Sequence, residues 1–273
     1  MSDLRLDSTQ LDRYSRHIIM DELGPEGQSA LVDADVLCVG AGGLGSPVIA
    51  YLAAAGVGGL GVVDDDVVER SNLQRQIIHT DDDVGRPKVD SAAEFVAERN
   101  PDVDVTTHET RLTSNNVESL IADYDLVVDG SDNFPTRYLV NDACTVAETP
   151  FAHGAIYKFE GQVLTVAGGG QPCYRCLFPE APEEGTVPDC ATTGVLGALP
   201  GTVGCLQATE ALKLLTDVGE PLTGRLLLFD AADMSFEEVP VRANPDCPVC
   251  GEDPAIESVQ DVDYGGTCAV GAD

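Results

Sequence analysis

The stretch Val36-Leu37-Cys38-Val39-Gly40-Ala41-Gly42-Gly43-Leu44-Gly45-Ser46-Pro47 decides the fold; it continues without a charged residue to Val63 and stops on Asp64-Asp65-Asp66. An apolar strand, a glycine-rich turn, a helix and a second strand ending on a carboxylate make a nucleotide-binding βαβ unit. The glycines let the backbone approach phosphates closely, while the helix N-terminus points its N–H groups at them. Asp64 stands where a carboxylate accepts hydrogen bonds from ribose hydroxyls. The candidate nucleotide contacts of this unit are therefore Gly40, Gly42, Gly43, Gly45 and Asp64. Ser46 is expected to cap the helix, with Pro47 at its first position.

Such a unit serves an NAD-dependent oxidoreductase as well as an enzyme that consumes ATP. The discriminating residues follow it, in Ser71-Asn72-Leu73-Gln74-Arg75-Gln76 and Arg86-Pro87-Lys88. Adenylate formation must hold three phosphates and stabilise a departing pyrophosphate, and hydride transfer needs neither. Asn72, Arg75 and Lys88 supply a polar amide, a planar fork and a point charge for that task. Each alone reads equally as an ordinary surface residue; as a cluster beside a glycine loop they favour a triphosphate. Asp132 follows the strand Leu126–Asp129, at the edge where open α/β sheets bind ligands. A carboxylate there suits Mg²⁺, which takes few carboxylates plus phosphate oxygens, although Ser131-Asp132-Asn133 is also an ordinary turn.

Outward from this unit, residues 9 to 33 read as helical, with Arg13 and Arg16 spaced to share a face. Asp90–Asn100 has helical spacing and Val103–Thr107 alternates like a strand. The result is an α/β fold: a Rossmann-like, mostly parallel sheet with flanking helices. Beyond Pro150 the pattern changes, with strands at Gly161–Val166 and Arg225–Phe229 and a helix from about Thr202 to Leu215. The expected organisation is an N-terminal helical segment (1–34), a Rossmann-like nucleotide-binding part (35–150), a zinc-bearing C-terminal lobe (151–251) and a disordered acidic tail (252–273). Leu177–Asp189, poor in apolar residues and rich in chain breakers, is expected to be mobile.

The chain carries 47 acidic residues against 15 basic ones, for a formal charge of −32. That balance repels phosphate backbones and argues against nucleic acid as a direct ligand. Self-repulsion on this scale is relieved at about 1 M salt, where the Debye length falls to roughly 3 Å. The composition is thus that of a halophile with a salt-rich cytoplasm; the alternative is an acidic face for a cationic partner. Glycines at 56, 58, 59 and 61 and Pro47 argue against reading the long uncharged run as a membrane span. Met1–Asp12 has no apolar core of a secretory signal, so a cytoplasmic, reducing location is expected.

The nine cysteines are accordingly thiols or metal ligands before they are disulfides. Cys173-Tyr174-Arg175-Cys176 and Cys247-Pro248-Val249-Cys250 are paired C-x-x-C motifs, a Cys₄ zinc signal with a redox pair as the alternative. Four thiolates leave no place for water, so the zinc would be structural and would clamp two distant segments. Cys190, in Pro188-Asp189-Cys190-Ala191, is a candidate nucleophile. Cys38, Cys144 and Cys205 fall in apolar patterns and read as core, and Cys268 is given no role. None of His17, His79, His108 and His153 has a visible catalytic arrangement.

Arg13-Tyr14-Ser15-Arg16, Gly40–Gly45, Ser71–Gln76, Gly85-Arg86-Pro87-Lys88, Asp132-Asn133, Glu160-Gly161-Gln162, Cys173–Cys176 and Asn244–Gly251 together resemble the MoeB/ThiF family of adenylyltransferases. These are relatives of ubiquitin-activating enzymes, and the acidity is like that of the archaeal members of the UbaA type. The resemblance implies Mg-ATP binding and adenylation of the Gly-Gly tail of a ubiquitin-like β-grasp protein of the MoaD, ThiS or SAMP type, with release of pyrophosphate. The product would serve sulfur transfer (molybdenum cofactor biosynthesis, tRNA thiolation), protein conjugation or both. It also implies that Gly43 and Asp64 hold the nucleotide and that Asn72, Arg75 and Lys88 hold the phosphates. Ser71 and Asn133 join the candidate nucleotide contacts through their motifs. Asp132 would hold magnesium, and Arg16 would reach the ATP site of a neighbouring subunit in a homodimer. Residues 151–251 would receive the ubiquitin-like partner. The chain lacks the rhodanese-like domain fused to some relatives, so a separate sulfur donor is expected. Members differ in how they use the cysteine matching Cys190. Outside this reading stand a zinc-stabilised NAD-dependent oxidoreductase and an inactive nucleotide-binding scaffold.

Overall fold

The computed structural model describes residues 6–182 and 194–264. It opens with three short helices, α1 (Ser8–Arg13), α2 (Ser15–Ile18) and α3 (Gly24–Val32), where the sequence pattern suggests one continuous helical stretch. The first break is at Tyr14, whose ring is buried and accepts a hydrogen bond from Asn100 Nδ2 at 2.8 Å. That break also separates the two arginines. Arg13 is used internally, donating to Arg99 O at 3.3 Å and lying 3.7 Å from Asp102.

There follow β1 (Asp35–Val39), α4 (Gly45–Ala55), β2 (Gly59–Val63), α5 (Lys88–Arg99), β3 (Asp104–His108), α6 (Val117–Ile121), β4 (Leu126–Asp129) and α7 (Phe134–Val146). The second half supplies β5 (Phe151–Tyr157), β6 (Glu160–Val166), α8 (Tyr174–Leu177), α9 (Ala198–Thr216), β7 (Arg225–Asp230) and β8 (Ser235–Pro240). All the strands join one sheet in the order β3-β2-β1-β4-β5-β6-β7-β8. From β3 through β5 the neighbours are parallel; β6, β7 and β8 extend the sheet in antiparallel fashion. The expected α/β class, a mostly parallel Rossmann-like sheet flanked by helices, is what the chain adopts. The same sheet runs across residues 150 and 151, where Val127 pairs with Phe151.

The central parallel strands β1, β2 and β4 are buried and apolar along most of their length because helices cover both faces, whereas the edge strand β3 is polar and largely exposed. Alternate side chains of β1 enter opposite cores. Leu37 and Val39 pack with Val127, Leu139 and Phe151 under α7, and Val36 and Cys38 pack with Ile49, Leu52 and Val96 under α4 and α5. Burying each such side chain contributes about 1.5–3 kcal/mol. Cys38 and Cys144 are fully buried, as their apolar context suggests, whereas Cys205 is only half-buried.

Residues 252–264, expected to be disordered, pack on the domain instead. Val259 is buried beside Val117 and Ile121, and Tyr264 Oη donates to the buried carboxylate of Asp142 at 2.7 Å. A few apolar and aromatic anchors outweigh the acidic composition. The start of the stretch expected to be mobile is also tied down: Tyr138 Oη donates to Glu180 O at 2.8 Å, and most of its remainder lies outside the described residues. No helix among the described residues is long and apolar enough to cross a membrane.

Candidate functional site

The strand order reverses between β1 and β4, and at such a switch point the carboxyl ends of the strands open a crevice. The glycine loop leaves β1 on one side of it and the Gly130–Asn133 loop leaves β4 on the other. The two loops touch: Gly130 N–H donates to Val39 O at 2.9 Å. At Gly45 a Cβ would sit 1.8 Å from Gly40 O, so only glycine fits where the chain turns into α4. Ser46 does not cap this helix, which starts a residue earlier and has no side-chain cap. The tight turn lays Gly42 O over the first helical turn, and Ser46 Oγ donates back to it at 2.7 Å. Ser46 N–H donates to the same oxygen at 2.9 Å and Pro47 has no N–H, so an anion at this turn would be met by the amides of the glycine loop before those of the helix.

Asp64, at the end of β2, accepts from Ala41 N–H at 2.8 Å and Asp66 N–H at 2.9 Å. It therefore fixes the shape of the glycine loop. Burial raises the Asp64 carboxyl above its ordinary range, with Lys88 and the two N–H groups opposing that rise. Lys88, at the start of α5, has a side chain only 7% exposed and lies 2.7 Å from Asp66 and 3.8 Å from Asp64.

Beside the glycine loop, where Gln76 and Arg75 approach Gly42 and Gly43, lies a cleft of about 160 Å³ lined by Asp66, Val67, Glu69, Asn72, Arg75, Gln76, Lys88 and Asp132. The structure thus brings Asn72, Arg75, Lys88 and Asp132 to one cavity from distant parts of the sequence. Asn72 is buried and accepts from Glu69 N–H at 3.2 Å; Arg75 donates to Ser71 O at 3.3 Å and lies beside Gly43. Ser71 itself turns to Glu69 at 3.1 Å and does not line the cleft. Nor does Asn133, which caps α7 by accepting from Thr136 N–H at 2.9 Å and lies next to Asp132. Arg16 is exposed on α2, away from the cleft lining. Cys190 lies outside the described residues.

Sequence reasoning gave no role to four cleft residues, Asp66, Val67, Glu69 and Gln76, or to two buried histidines. His79 bonds Ala41 O at 2.9 Å and Ser91 Oγ at 2.8 Å. The carbonyl can only accept, so Nε2 carries the proton and the ring braces the glycine loop. His153 Nδ1 donates to Asp129 at 2.8 Å. Burial favours neutral imidazole in His153. Burial alone would also raise the Asp129 carboxyl, but hydrogen bonds from His153 and Ser131 hold it below the ordinary carboxylate range. Only the Asp64–Asp66 run hinted at the extra acid; the histidines had no local signal.

The cysteine quartet forms a separate centre. Sγ separations are 3.6 Å for Cys173–Cys247, 3.4 Å for Cys176–Cys250 and 3.3 Å for Cys173–Cys250. These are far too long for disulfides, whose S–S bonds are about 2.05 Å. They approach the roughly 3.8 Å that tetrahedral Zn–S bonds of about 2.3 Å require. Asn244 N–H points at Cys176 Sγ at 3.4 Å and Asn141 Nδ2 at Cys173 Sγ at 3.9 Å, donors suited to thiolates. The donor set fits a structural zinc that joins α8 to the segment after β8.

The ThiF family model matches residues 14–249. The chain is 67% identical over 270 residues to the SAMP-activating enzyme E1 of Haloferax volcanii, covering 99% of each. It is 52% identical over 272 residues to the sulfur carrier protein adenylyltransferase of Thermus thermophilus, covering 98% of this chain and all of that one. Among solved structures the E. coli MccB crystal structure superposes with a TM-score of 0.79 at 23% identity, covering 92% of this chain and 75% of that one, which bears on the fold alone. With the nucleotide crevice, the cysteine quartet and near-complete coverage in agreement, the chain belongs to the ThiF family.

Proposed function

We propose that this protein is an adenylyltransferase that joins the C-terminal glycine carboxylate of a ubiquitin-like β-grasp protein to the adenylyl group of ATP. The observation that carries this is the convergence of Asn72, Arg75, Lys88 and Asp132 on one cleft beside the glycine loop. A tail carboxylate has a pKa of about 3.3–3.7 and is ionised at neutral pH, so the reaction needs no base. A carboxylate oxygen forms a bond to the α-phosphorus while the bond from that phosphorus to the pyrophosphate oxygen breaks, and the electron pair leaves with pyrophosphate. Gly42, Gly43 and the start of α4 receive the phosphates, and Arg75 and Lys88 stabilise the charge gathering on the leaving group. Asp132 would hold Mg²⁺, which screens the phosphate charges when bound.

The antiparallel extension supports the expected role of residues 151–251 in receiving the partner. A groove of about 320 Å³ lined by Glu160, Leu228, Phe229, Asp230 and Glu237 lies at the sheet edge that also carries Asp132. Phe159, Met234 and Phe236 are exposed near it. Exposed Leu11, Ile19 and Met20 around Arg16 support a homodimer in which Arg16 serves the neighbouring site. The Haloferax and Thermus names support a SAMP-like or sulfur carrier substrate; a separate sulfur donor and a step at Cys190 after adenylation complete the proposal. The free thiols of Cys38 and Cys144 suit a reducing cytoplasm.

The test is ATP–pyrophosphate exchange in high salt with Mg²⁺, with and without a Gly-Gly-ending β-grasp protein. Exchange that depends on that protein and is lost in Asp132→Ala is the expected result. Silence with NAD bound instead would move the assignment to an oxidoreductase, and silence with ATP bound to a scaffold.

A further inference from the structure

We infer that Asp129 and His153 form a buried pair that positions the loop bearing Asp132. The inference rests on the reading of Asp132 as the magnesium-holding carboxylate. Asp129 ends β4 and His153 stands opposite it on β5 in the parallel register; both are essentially inaccessible to solvent. The Asp129 carboxylate works in two directions. Oδ1 accepts from the N–H of Ser131 at 3.0 Å, and Oδ2 accepts from His153 Nδ1 at 2.8 Å. The residue before Asp132 is thereby held by a carboxylate whose own orientation is set from the neighbouring strand.

Two further contacts complete the frame. Gln207 on α9 donates Nε2 to the main-chain oxygen of Asp129 at 2.7 Å, which fixes the strand end from the other face. The residue after Asp132 is Asn133, locked as the cap of α7. Asp132 thus sits between two immobilised neighbours, with only its own side chain exposed toward the cleft. The His153 ring is in turn packed edge-on against Tyr174, with centroids 4.9 Å apart, so its Nδ1–H keeps one direction.

A purely architectural explanation is a poor account of these residues. The neighbouring β4 positions are Val127 and Val128, and a well-packed apolar pair is often at least as stable as a buried polar one. Moreover, His153 Nε2 has no hydrogen-bond partner among the described residues, which costs stability. The imidazole therefore bears an expense whose visible return is a single hydrogen bond to Asp129. Groups hydrogen-bonded to metal-holding residues typically change metal affinity by about 10–100-fold when removed, and His153 acts on Asp132 through Asp129 and the Ser131 N–H.

The experiment is a Mg²⁺ titration of ATP–pyrophosphate exchange, with the β-grasp partner present, on the wild type, His153→Leu, His153→Asn and Asp132→Ala. His153→Leu should raise the Mg²⁺ concentration for half-maximal exchange by about 10–100-fold, with the rate largely recovered in excess Mg²⁺. His153→Asn, which keeps an N–H close to the Nδ1 position, should titrate close to wild type. A merely structural role would lower the amount of active protein without moving the Mg²⁺ midpoint, and an unmoved midpoint in His153→Leu overturns the inference. If Asp132→Ala keeps the wild-type Mg²⁺ dependence, the underlying assignment of Asp132 fails instead. Should His153→Leu not fold, hydrogen exchange on the wild type decides: the Ser131 amide should be markedly slower than that of Asp132, and equal rates overturn the clamp.

Discussion

Replacing Lys88 by Met separates the phosphate-binding role proposed for this lysine from the ion pairs it makes in the fold. The substitution keeps a long apolar stem for the buried part of the side chain and removes the ammonium. On the catalytic side, a cation aimed at developing charge in a water-poor cleft is worth about 2.7–4 kcal/mol, or roughly 10²–10³ in turnover. On the structural side the two carboxylates count differently. Asp66 is 68% exposed, so its 2.7 Å contact is a surface pair worth about 0–1 kcal/mol. Asp64 is 10% exposed and 3.8 Å away, and it loses a nearby cation that offsets its burial. It keeps the N–H donors of Ala41 and Asp66, so the expected penalty is about 1–3 kcal/mol.

That penalty has a signed pH dependence. The folded Asp64 pKa is already raised, so the native state binds a proton there more readily than the unfolded chain, and the ionised carboxylate costs stability above that pKa. Without Lys88 the pKa rises further. The difference between variant and wild type is therefore full at neutral pH and shrinks as pH falls through the Asp64 range. Pyrophosphate exchange at saturating ATP, together with denaturant unfolding at several pH values, measures both effects. Exchange within about tenfold of wild type would take Lys88 out of the phosphate site. A penalty flat with pH would break the proposed coupling to Asp64.

Three other perturbations test separate parts of the structure. Gly45→Ala forces a Cβ to within 1.8 Å of Gly40 O; the loop must shift, with loss of ATP binding and about 1–3 kcal/mol of stability, and unchanged nucleotide affinity in calorimetry would contradict the tight turn. Removing zinc from the cysteine quartet should lower the melting temperature, since a metal present at a thousand times its dissociation constant stabilises by about 4.1 kcal/mol; an identical melting curve after verified metal loss would refute the structural role. Burial lowers the His79 pKa in the fold, so its contribution is present above about pH 6.5 and is lost as pH falls through the folded value. His79→Gln should accordingly flatten the acid side of the stability–pH curve, and parallel curves would show that His79 does not titrate in this way.

What could be read from the chain and what could not divides along a physical line. The glycine loop, the strand Leu126–Asp129 and the paired C-x-x-C motifs each carry their signal within a few residues, because a turn, a buried strand or two cysteines of a zinc site are local objects. Asp66, Glu69 and Gln76 line the cleft; Asp66 and Gln76 fall inside the runs Asp64–Asp66 and Ser71–Gln76, but nothing local says that they and Glu69 face one cavity. His79 and His153 have partners at Ala41, Ser91 and Asp129, contacts made by the sheet and invisible to spacing. Ser46 has a capping residue's identity, but the turn makes Gly45 the first helical residue, so Ser46 lies inside the helix and its Oγ donates back to Gly42 O. Residues 252–264 look unfoldable by composition, and Val259 and Tyr264 are enough to dock them because α6 and α7 already present the matching surface.

The electrostatics of the cleft follow from the same distinction between local and assembled structure. A chain of charge −32 surrounds the proposed phosphate site with repulsion, so long-range steering of ATP works against binding. At about 1 M salt the Debye length is roughly 3 Å, and only groups at contact distance still act strongly on one another. Recognition then has to be carried by short, direct pairs. Lys88 shows how the protein meets that condition: it is buried to 7% exposure and held by Asp66 at 2.7 Å. In that position it is already oriented, and the exposed carboxylate that holds it is the partner most easily exchanged for a phosphate. Asp64, buried and fixed by two backbone N–H groups, stays behind to keep the glycine loop in shape.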